Sequence, residues 1–303
     1  MVAKLVGPFF IAVAAILWAS DSVFRFPTVS SLNPALIVFL EHLLAVLVLF
    51  PWIRLRHGKD YTRLSIAEWL AAFTIGAGGS AIATILFTAS FQYINPSVTI
   101  LLQKLQPVMV VVIAYLVLGE HPPARFFFWA ALAILAGVGL SFPDFDFGFL
   151  SRGFDIRSIG VLYAFTAAAL WAVATILGKI LLRRTPSSIA TFWRYVFGLA
   201  TAGALVGSAQ ISIPWDVLST KPIWGALLYM SLVPGLTAML AYYAGLARTP
   251  ATVTTFVELI FPVSAVILNT VYLNTPLSTV QIVAAAILLV SILKISLDLS
   301  GPK

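Results

Sequence analysis

Cysteine is absent from this chain of 303 residues, and charged residues are scarce. Without cysteine, the chain forms neither disulfides nor thiolate metal sites. Charged residues make up 10% of the chain, against roughly 25% in soluble domains. The 18 basic and 11 acidic side chains therefore cannot cover a soluble fold. The chain also lacks a glycine-rich phosphate loop, an HExxH motif and a GxSxG motif, so no enzyme signature is present.

The sequence is rich in long apolar runs. Hydrophobic residues make up 61% of the chain, and the mean hydropathy is +1.03. Runs of about 20 residues are typical of membrane-spanning helices, whereas barrel strands give weaker alternating runs of about 10. We therefore predict an all-α membrane protein with ten transmembrane helices. The predicted spans lie near residues 5–26, 34–53, 66–91, 96–118, 124–142, 157–181, 187–208, 222–246, 251–273 and 278–298.

The first apolar run follows a lysine, as a signal peptide also would. We predict a span instead, because the run is about 20 residues long and recurs in the second half of the chain.

The basic residues predict the topology. The net charge is +7, and the lysines and arginines lie in short clusters between apolar runs, which does not indicate nucleic-acid binding. Twelve of the 18 fall on one side of the predicted membrane, four on the other, and Lys104 and Arg194 within spans. Because cytoplasmic loops carry excess lysine and arginine, both termini are predicted to be cytoplasmic in a bacterial inner membrane.

The two halves of the chain resemble each other. Ala14–Ala19 reads AAILWA and Ala167–Ala172 reads AAALWA, while Pro107 and Pro262 are 155 residues apart. We divide the chain accordingly. Residues 1–143 form a first five-helix repeat, 144–156 a periplasmic connection, and 157–303 a second repeat. Since five is an odd number, the second repeat is predicted to be inverted, as in many secondary transporters.

Three motifs carry a resemblance to a known family. Leu17–Asp21 (LWASD) resembles the L-W-G-S-N stretch of the EamA family of the drug/metabolite transporter superfamily. Pro107 followed by Leu118–Glu120 (LGE) is similar to its fourth-span signature, and Ala133–Val138 (AILAGV) to its fifth-span motif. The resemblance covers nearly the whole chain. It implies a ten-helix transporter that moves small metabolites, often outward.

The sequence departs from the family pattern at several positions. Asp21 replaces the usual asparagine, and His42 stands where the family usually has arginine, although Arg194 keeps that arginine in the second repeat. Asn274 and Thr275 replace Gly-Glu. These departures bear on the substrate rather than on the fold.

Polar side chains inside spans are the candidate functional residues, because ionisable groups in a membrane are costly and usually functional. At a rise of ~1.5 Å per residue, they lie roughly 10–12 Å deep, in two charged layers. The outer layer holds Glu41, His42 and Lys104, with Gln103 beside them, and the inner layer holds Arg194 and Glu258.

We predict that Glu41 or His42 pairs with Lys104 to close the outer side, and Arg194 with Glu258 to close the inner side. The alternative is that these residues only hold helices together. Asp21 and Arg25 are predicted to form a local i,i+4 salt bridge.

Prolines and aromatic residues extend the candidate site. Pro107 and Pro262 cannot donate to the carbonyls of Gln103 and Glu258, so each is predicted to bend its helix and free an acceptor. Four aromatic residues are predicted to wall the cavity, although each could simply pack in the bundle. They are Trp18, Trp171, Trp193 and Tyr242.

These observations favour a secondary transporter that exports small amphipathic or zwitterionic metabolites, such as amino acids including aromatic ones, by alternating access. A lipophilic-cation exporter that uses Glu41, Glu258 or Asp21 is the alternative within transport. An intramembrane enzyme or a receptor is the alternative from other classes. We predict no cofactor and no metal, a small-molecule substrate, contact with the lipid bilayer, and a monomer. Carboxylates Glu41 and Glu258 are candidates for carrying protons.

Overall fold

The computed structural model describes residues 2–118, 121–148, 153, 155–182, 184–246, 248–249 and 257–300. Across these residues the chain is helical and contains no strand, which confirms the predicted all-α class. The predicted connection at 144–156 is described only in part, since residues 149–152 and 154 lie outside the described ranges. The division into two inverted repeats stays a prediction.

The first half of the chain forms seven α-helices and one π-helical segment, which we call π1. They are α1 (Val2–Val29), α2 (Pro34–His57), α3 (Ile66–Thr74), π1 (Ile75–Ile82), α4 (Ala83–Ser90), α5 (Pro96–Gln103), α6 (Gln106–Leu118) and α7 (Ala124–Ser141). A 3₁₀ turn at Asp60–Thr62 connects α2 to α3. Because α3, π1 and α4 are continuous, they make one span of the bundle.

The second half also contains a π-helical segment, which we call π2. Its elements are α8 (Ile156–Leu181), α9 (Ser187–Ser208), α10 (Trp215–Leu218), α11 (Lys221–Met230), π2 (Ser231–Thr237), α12 (Ala238–Leu246), α13 (Ile260–Leu273) and α14 (Thr279–Ser300). Within the described ranges, nine helical stretches are long and apolar enough to cross a membrane. The predicted span at 251–273 contributes the shorter α13, and residues 251–256 lie outside the described ranges, so ten spans stay a prediction.

Asparagine–proline pairs explain where two helices begin. Asn33 precedes Pro34, and its side chain accepts the Ala35 N–H at 2.9 Å. Asn95 precedes Pro96 and accepts the Ser97 N–H at 2.8 Å. An asparagine N-cap satisfies one unpaired N–H, and proline at the first helical position has none to satisfy. Both helices therefore start at the residue that the sequence indicates.

The start of α8 is fixed by an aspartate cap. The Asp155 carboxylate accepts the Ser158 hydroxyl at 2.6 Å and the Ser158 N–H at 2.7 Å. These two hydrogen bonds hold the pKa of Asp155 below its ordinary value. Such a cap sets the point at which the chain enters the second half of the bundle.

Two spans are broken at the predicted prolines. The α5 helix ends at Gln103, Lys104 and Leu105 form a turn, and Pro107 is the second residue of α6. In the second half, Glu258 is helical, Leu259 forms a turn, and Pro262 is the third residue of α13. A proline fits the first turn of a helix but not its interior, so each helix restarts just before its proline.

Small residues let the central helices approach closely. In α1, Ala14, Ala15 and Ala19 are fully buried, and in α8 so are Ala167, Ala168 and Ala172. These are the residues of the two matching AAILWA and AAALWA stretches. Elsewhere α1 packs against α12 and α13, α2 against α9, and α7 against α14. The central position of α1 and α8 places their polar residues at the middle of the bundle.

Candidate functional site

A cavity of about 590 Å³ lies in the middle of the bundle. Its walls come from both halves of the chain, including α1, α2 and π1 from the first and α8, α9 and π2 from the second. Among the residues the structure describes, a second and smaller pocket of about 190 Å³ lies beside Tyr93 and Arg157. Pockets of 300–1,000 Å³ suit drug-sized ligands, so the cavity has room for a small organic solute.

Aromatic rings make up one part of the wall. Trp18 lies 5.1 Å from Tyr242 and 6.5 Å from Phe261, measured between ring centroids. Phe87 lies 5.4 Å from Trp171, whose indole N–H donates to the Gly79 carbonyl at 2.8 Å. These five rings all line the cavity. Flat, rigid walls of this kind favour a flat aromatic solute.

A buried ion cluster lies toward the end of the bundle where α1 ends. The Arg25 guanidinium pairs with Asp21 at 2.6 Å and with Glu41 at 2.7 Å, and it also donates to the Thr88 hydroxyl at 3.0 Å. The side chains of Arg25 and Glu41 are 7% and 8% exposed. The predicted Asp21–Arg25 salt bridge is confirmed. Its extension to Glu41 joins α1 to α2 and makes it a contact between helices.

His42, Ser80 and Arg194 form a second polar group. The His42 ring contacts the Val38 carbonyl through Nδ1 at 2.8 Å and the Ser80 hydroxyl through Nε2 at 2.9 Å. The Arg194 Nε–H donates to the same hydroxyl at 3.3 Å. A terminal N–H of Arg194 also reaches the Gly79 carbonyl at 3.4 Å. Both Ser80 and Gly79 belong to π1.

Glu258 belongs to a third group on the opposite wall. Its carboxylate accepts the Tyr242 hydroxyl at 2.5 Å. The Lys104 ammonium lies 4.7 Å from the centre of the Phe261 ring, and Glu258 is the carboxylate that attracts it electrostatically. Lys104 itself does not line the cavity. The negative charge at this wall is therefore already opposed by a cation behind it.

Amide side chains add neutral hydrogen-bonding groups. Gln103 and Gln106 line the cavity on either side of the break between α5 and α6. The Gln106 amide donates to the Thr175 hydroxyl at 3.0 Å, which connects this break to α8. The cavity thus combines aromatic walls, amides and charges of both signs.

Among the residues that the structure describes, the cavity extends toward the end of the bundle where α8 ends and α9 begins. Gly178, Leu181 and Leu182 at the end of α8 line it, as do Ala190 and Thr191 at the start of α9. This is the predicted cytoplasmic end.

At the other end, the bundle is packed shut beyond Arg25. Phe91 lies 5.0 Å from Phe87 and 6.3 Å from Phe26, again between ring centroids. Phe91 and Leu32 are 2% and 3% exposed. The structure therefore shows a cavity closed at the end where α1 meets α2.

Most of the predicted cavity residues do line the cavity. They are Trp18, Gln103, Trp171, Tyr242 and Glu258, together with Glu41, His42 and Arg194 from the predicted charged layers. Lys104, Pro107, Pro262 and Trp193 do not line it. The two prolines act at a distance, because the breaks that they cause place Gln103 and Glu258 on the wall.

Trp193 requires a correction. Its indole N–H donates to the Tyr61 carbonyl at 2.7 Å, and its ring lies 4.5 Å from Trp69. Trp193 does not line the cavity, although its sequence neighbour Arg194 does. Trp193 therefore packs between α9 and the α2–α3 connection rather than in the cavity.

The predicted charge pairs differ from those in the structure. Glu41 contacts Arg25 instead of Lys104, and Arg194 contacts Ser80 instead of Glu258. Lys104, assigned to the outer layer, interacts electrostatically with Glu258 of the inner layer. Layers that each lie roughly 10–12 Å from opposite faces of a ~30 Å bilayer core are close enough to meet near its middle.

Sequence reasoning missed several polar contacts. Asn269 of α13 is fully buried, accepts the Ser22 hydroxyl at 2.7 Å and donates to the Ser97 hydroxyl at 3.1 Å. The Ser231 hydroxyl of π2 donates to the Glu41 carbonyl at 2.9 Å. An amide inside an apolar run was the available signal for Asn269, whereas serines are too common in spans to stand out.

Comparison with known proteins places these observations among membrane transporters. The sequence model of the EamA-like transporter family matches residues 5–142 and 158–297. The riboflavin transporter ImpX of Fusobacterium nucleatum is 30% identical over 295 residues, which cover 96% of this chain and 97% of that protein. An uncharacterized transporter of Archaeoglobus fulgidus is 26% identical over 250 residues, or 80% of each chain.

Two further likenesses are more distant. The uncharacterized inner membrane transporter YhbE of Escherichia coli K12 is 26% identical over 205 residues, which cover 65% of this chain and 62% of that protein. A solved crystal structure superposes with a TM-score of 0.62 at 21% identity, covering 98% of this chain and 97% of that one. That likeness shows a shared fold. Of the family motifs quoted above, Gly119 and Glu120 lie outside the described residues.

Proposed function

The chain belongs to the EamA-like transporter family, and from this premise we propose that it carries small aromatic, amphipathic metabolites across the bacterial inner membrane by alternating access. The observation that carries the proposal is the central cavity, with its five aromatic rings and its polar groups on facing walls. Ligand sites of this type are mostly apolar, with a few placed polar groups that orient the ligand.

Two substrates suit the chemistry of the cavity. Aromatic amino acids, moved outward, combine a ring with charges of both signs. Riboflavin combines a flat ring system with carbonyl and hydroxyl groups, and the protein named as a riboflavin transporter aligns over nearly the full length of this chain. A volume of about 590 Å³ has room for either solute.

A lipophilic cation suits the cavity less well. A buried carboxylate without a competing cation would stabilise the charge of such a solute. Asp21 and Glu41 both contact Arg25, and Glu258 faces Tyr242 and Lys104. Every carboxylate that lines the cavity therefore already has a donor or a cation beside it.

The arrangement of the two halves supports alternating access. The cavity lies between them, the broken helices α5–α6 and α13 each bring a side chain to its wall, and one end of the bundle is packed shut. Discontinuous helices beside a central site are typical of secondary transporters. We place both termini in the cytoplasm and the closed end at the periplasmic side, in line with the distribution of basic residues.

Counterflow in proteoliposomes tests the proposal. Vesicles that contain the purified protein are loaded with unlabelled tryptophan or riboflavin, and entry of the labelled solute is followed. We expect counterflow of at least one of the two, and a large loss in the cavity variants Trp18→Ala and Trp171→Ala. Trp193→Ala, which removes the same side chain outside the cavity, serves as the matched control. Absence of counterflow for both solutes by wild-type protein would contradict the proposed substrates.

A further inference from the structure

Two arginines line the cavity, and they differ in how many of their hydrogen-bond donors are used. The guanidinium of arginine has five N–H groups. In Arg25 all five have partners: Nε and one terminal nitrogen donate to Asp21, both terminal nitrogens donate to Glu41, and one of them also donates to Thr88. Arg25 therefore has no donor left for a solute.

Arg194 has spare donors. Its contacts are to the Ser80 hydroxyl at 3.3 Å and the Gly79 carbonyl at 3.4 Å, both beyond the usual N–H···O range of 2.7–3.2 Å. Within the part of the chain that the structure describes, no carboxylate lies within 4.0 Å of its guanidinium. Three of its five N–H groups have no hydrogen-bond partner there.

The neighbours of Arg194 do not neutralise its charge. A carbonyl only accepts, so His42 donates to Val38 through Nδ1, and a neutral ring then accepts the Ser80 hydroxyl proton at Nε2. The Ser80 oxygen in turn accepts the Arg194 Nε–H. This chain of hydrogen bonds orients the guanidinium without supplying a negative charge.

A flat ring lies next to the unpaired cation. The Gly79 carbonyl accepts both the Trp171 indole N–H and a terminal N–H of Arg194, so the two side chains meet at one oxygen atom. Trp171 also lines the cavity. A ligand whose ring contacts Trp171 can therefore place an oxygen against Arg194. Planar guanidinium groups suit a pair of oxygens best, as in a carboxylate.

We propose that Arg194 is the anchor of the cavity for an electron-rich oxygen group on an aromatic solute, either a carboxylate or one carbonyl of a cyclic imide. The oxygen group of the solute then accepts the Arg194 N–H groups that have no partner in the described part of the protein. This contact is favourable because an unpaired cation inside a membrane is costly. This inference rests on the proposed function, because it identifies the residue that binds the polar part of the same aromatic substrate. It predicts weaker binding of aromatic amines that lack such an oxygen group.

Binding to the purified protein in detergent tests the anchor separately from transport. Binding through a carboxylate is tested by comparing the Kd of tryptophan with that of tryptamine, which lacks the carboxylate. Binding through an imide carbonyl is tested by comparing the Kd of riboflavin with that of analogues whose imide oxygens are replaced by sulfur. Arg194→Gln is expected to raise the Kd of tryptophan or of riboflavin about tenfold or more, because hydrogen bonds to charged groups are strong. The affinity for tryptamine or the thio analogue should not change.

Two further variants complete the test. Arg194→Lys retains the charge but not the planar donor pair, so an intermediate Kd is expected, and it substitutes for Arg194→Gln if that variant does not fold. Arg125→Gln removes a cation whose side chain is 81% exposed, and it should bind as wild type does.

The outcomes separate the anchor from the transport proposal. An equal loss for tryptophan and tryptamine, an unchanged Kd in both Arg194 variants, or a wild-type protein that binds neither the acid nor the imide overturns the anchor. Wild-type protein that binds with Arg194-dependent affinity but shows no counterflow overturns the proposed function and leaves the anchor in place.

Discussion

At the scale of single residues, the Asp21–Arg25–Glu41 cluster depends on its one cation. With both acids ionised, Arg25 holds the buried carboxylate of Glu41 and the partly buried carboxylate of Asp21, and the cluster has a net negative charge. Removing one partner of a buried ion pair leaves an uncompensated charge, which typically costs about 3–5 kcal/mol. Loss of Arg25 leaves two such charges, whereas neutralising Glu41 leaves one complete pair.

We therefore expect Arg25→Met to lower the melting temperature in detergent far more than Glu41→Gln does. Thermal unfolding is monitored by tryptophan fluorescence. Arg157→Gln, which removes a cation from an exposed ion pair, is the control. If Arg25→Met and Glu41→Gln are equally mild, the cluster does not hold α1 against α2.

Partners of buried charges are the part of the site that the sequence predicted least well. The Asp21–Arg25 pair could be predicted because both residues lie four apart on one helix. The contact between Arg25 and Glu41 could not, since it depends on how α1 and α2 approach each other. Depth along each span indicated several residues that line the cavity, but depth does not specify which helices are neighbours.

At the scale of helices, the π segments set how closely the two halves of the bundle meet. Both interrupt the middle of a span, and Ser80 lies 155 residues before Gly235, so they occupy corresponding positions in the two halves. A π turn leaves a carbonyl outside the normal hydrogen-bonding pattern, and such turns are frequent at functional sites. In π1, the Gly79 carbonyl accepts Trp171 of α8.

Adjacent glycines of π1 provide a matched test of this contact. A Cβ at Gly79 would lie 2.4 Å from the Ala174 Cβ of α8, whereas a Cβ at Gly78 has no neighbour nearer than 3.9 Å. Gly79→Ala should therefore force π1 and α8 apart and impair both stability and counterflow, while Gly78→Ala should be tolerated. Melting temperature and counterflow rate are the measurements. Equal tolerance of both substitutions would show that close approach at Gly79 is not required.

Helix breaks were easier to predict than π segments. Pro107 and Pro262 carry a local steric rule, and the structure breaks both spans within three residues of them. The small residues of Gly76–Ser80 carry no comparable rule, because they permit an α-helix and a π turn alike. The choice between the two is made by contacts with α8 and α9 that the sequence does not display.

At the scale of the whole molecule, the proposed topology rests on the distribution of basic residues and can be tested directly. The chain has no cysteine, so an introduced cysteine is the sole site for a thiol reagent. Lys59→Cys, in the connection between α2 and α3, should label from the cytoplasm. Gln210→Cys, just after α9, should label from the periplasm. Labelling of both residues from the same side by a membrane-impermeant maleimide would contradict the proposed topology and, with it, the inverted repeat.

The closed end of the bundle is held by contacts between the two halves. Asn269 of α13 joins Ser22 of α1 to Ser97 of α5, and all three side chains are buried. An alternating-access protein must break such contacts when that end opens. Because a population shift follows the differential stability of two states, a contact made only in one state biases the equilibrium when it is removed.

We expect Asn269→Ala to favour the state that is open at the end where α1 meets α2. Two cysteines report this shift. Thr28→Cys, now 3% exposed at the closed end, should become more reactive from the periplasm, and Thr191→Cys, on the open side of the cavity, should become less reactive from the cytoplasm. Thr270→Ala is the matched control, because its hydroxyl is exposed and donates only to Val266 of its own helix. If Asn269 merely stabilises the bundle, its loss would lower the melting temperature and raise the reactivity of both cysteines together.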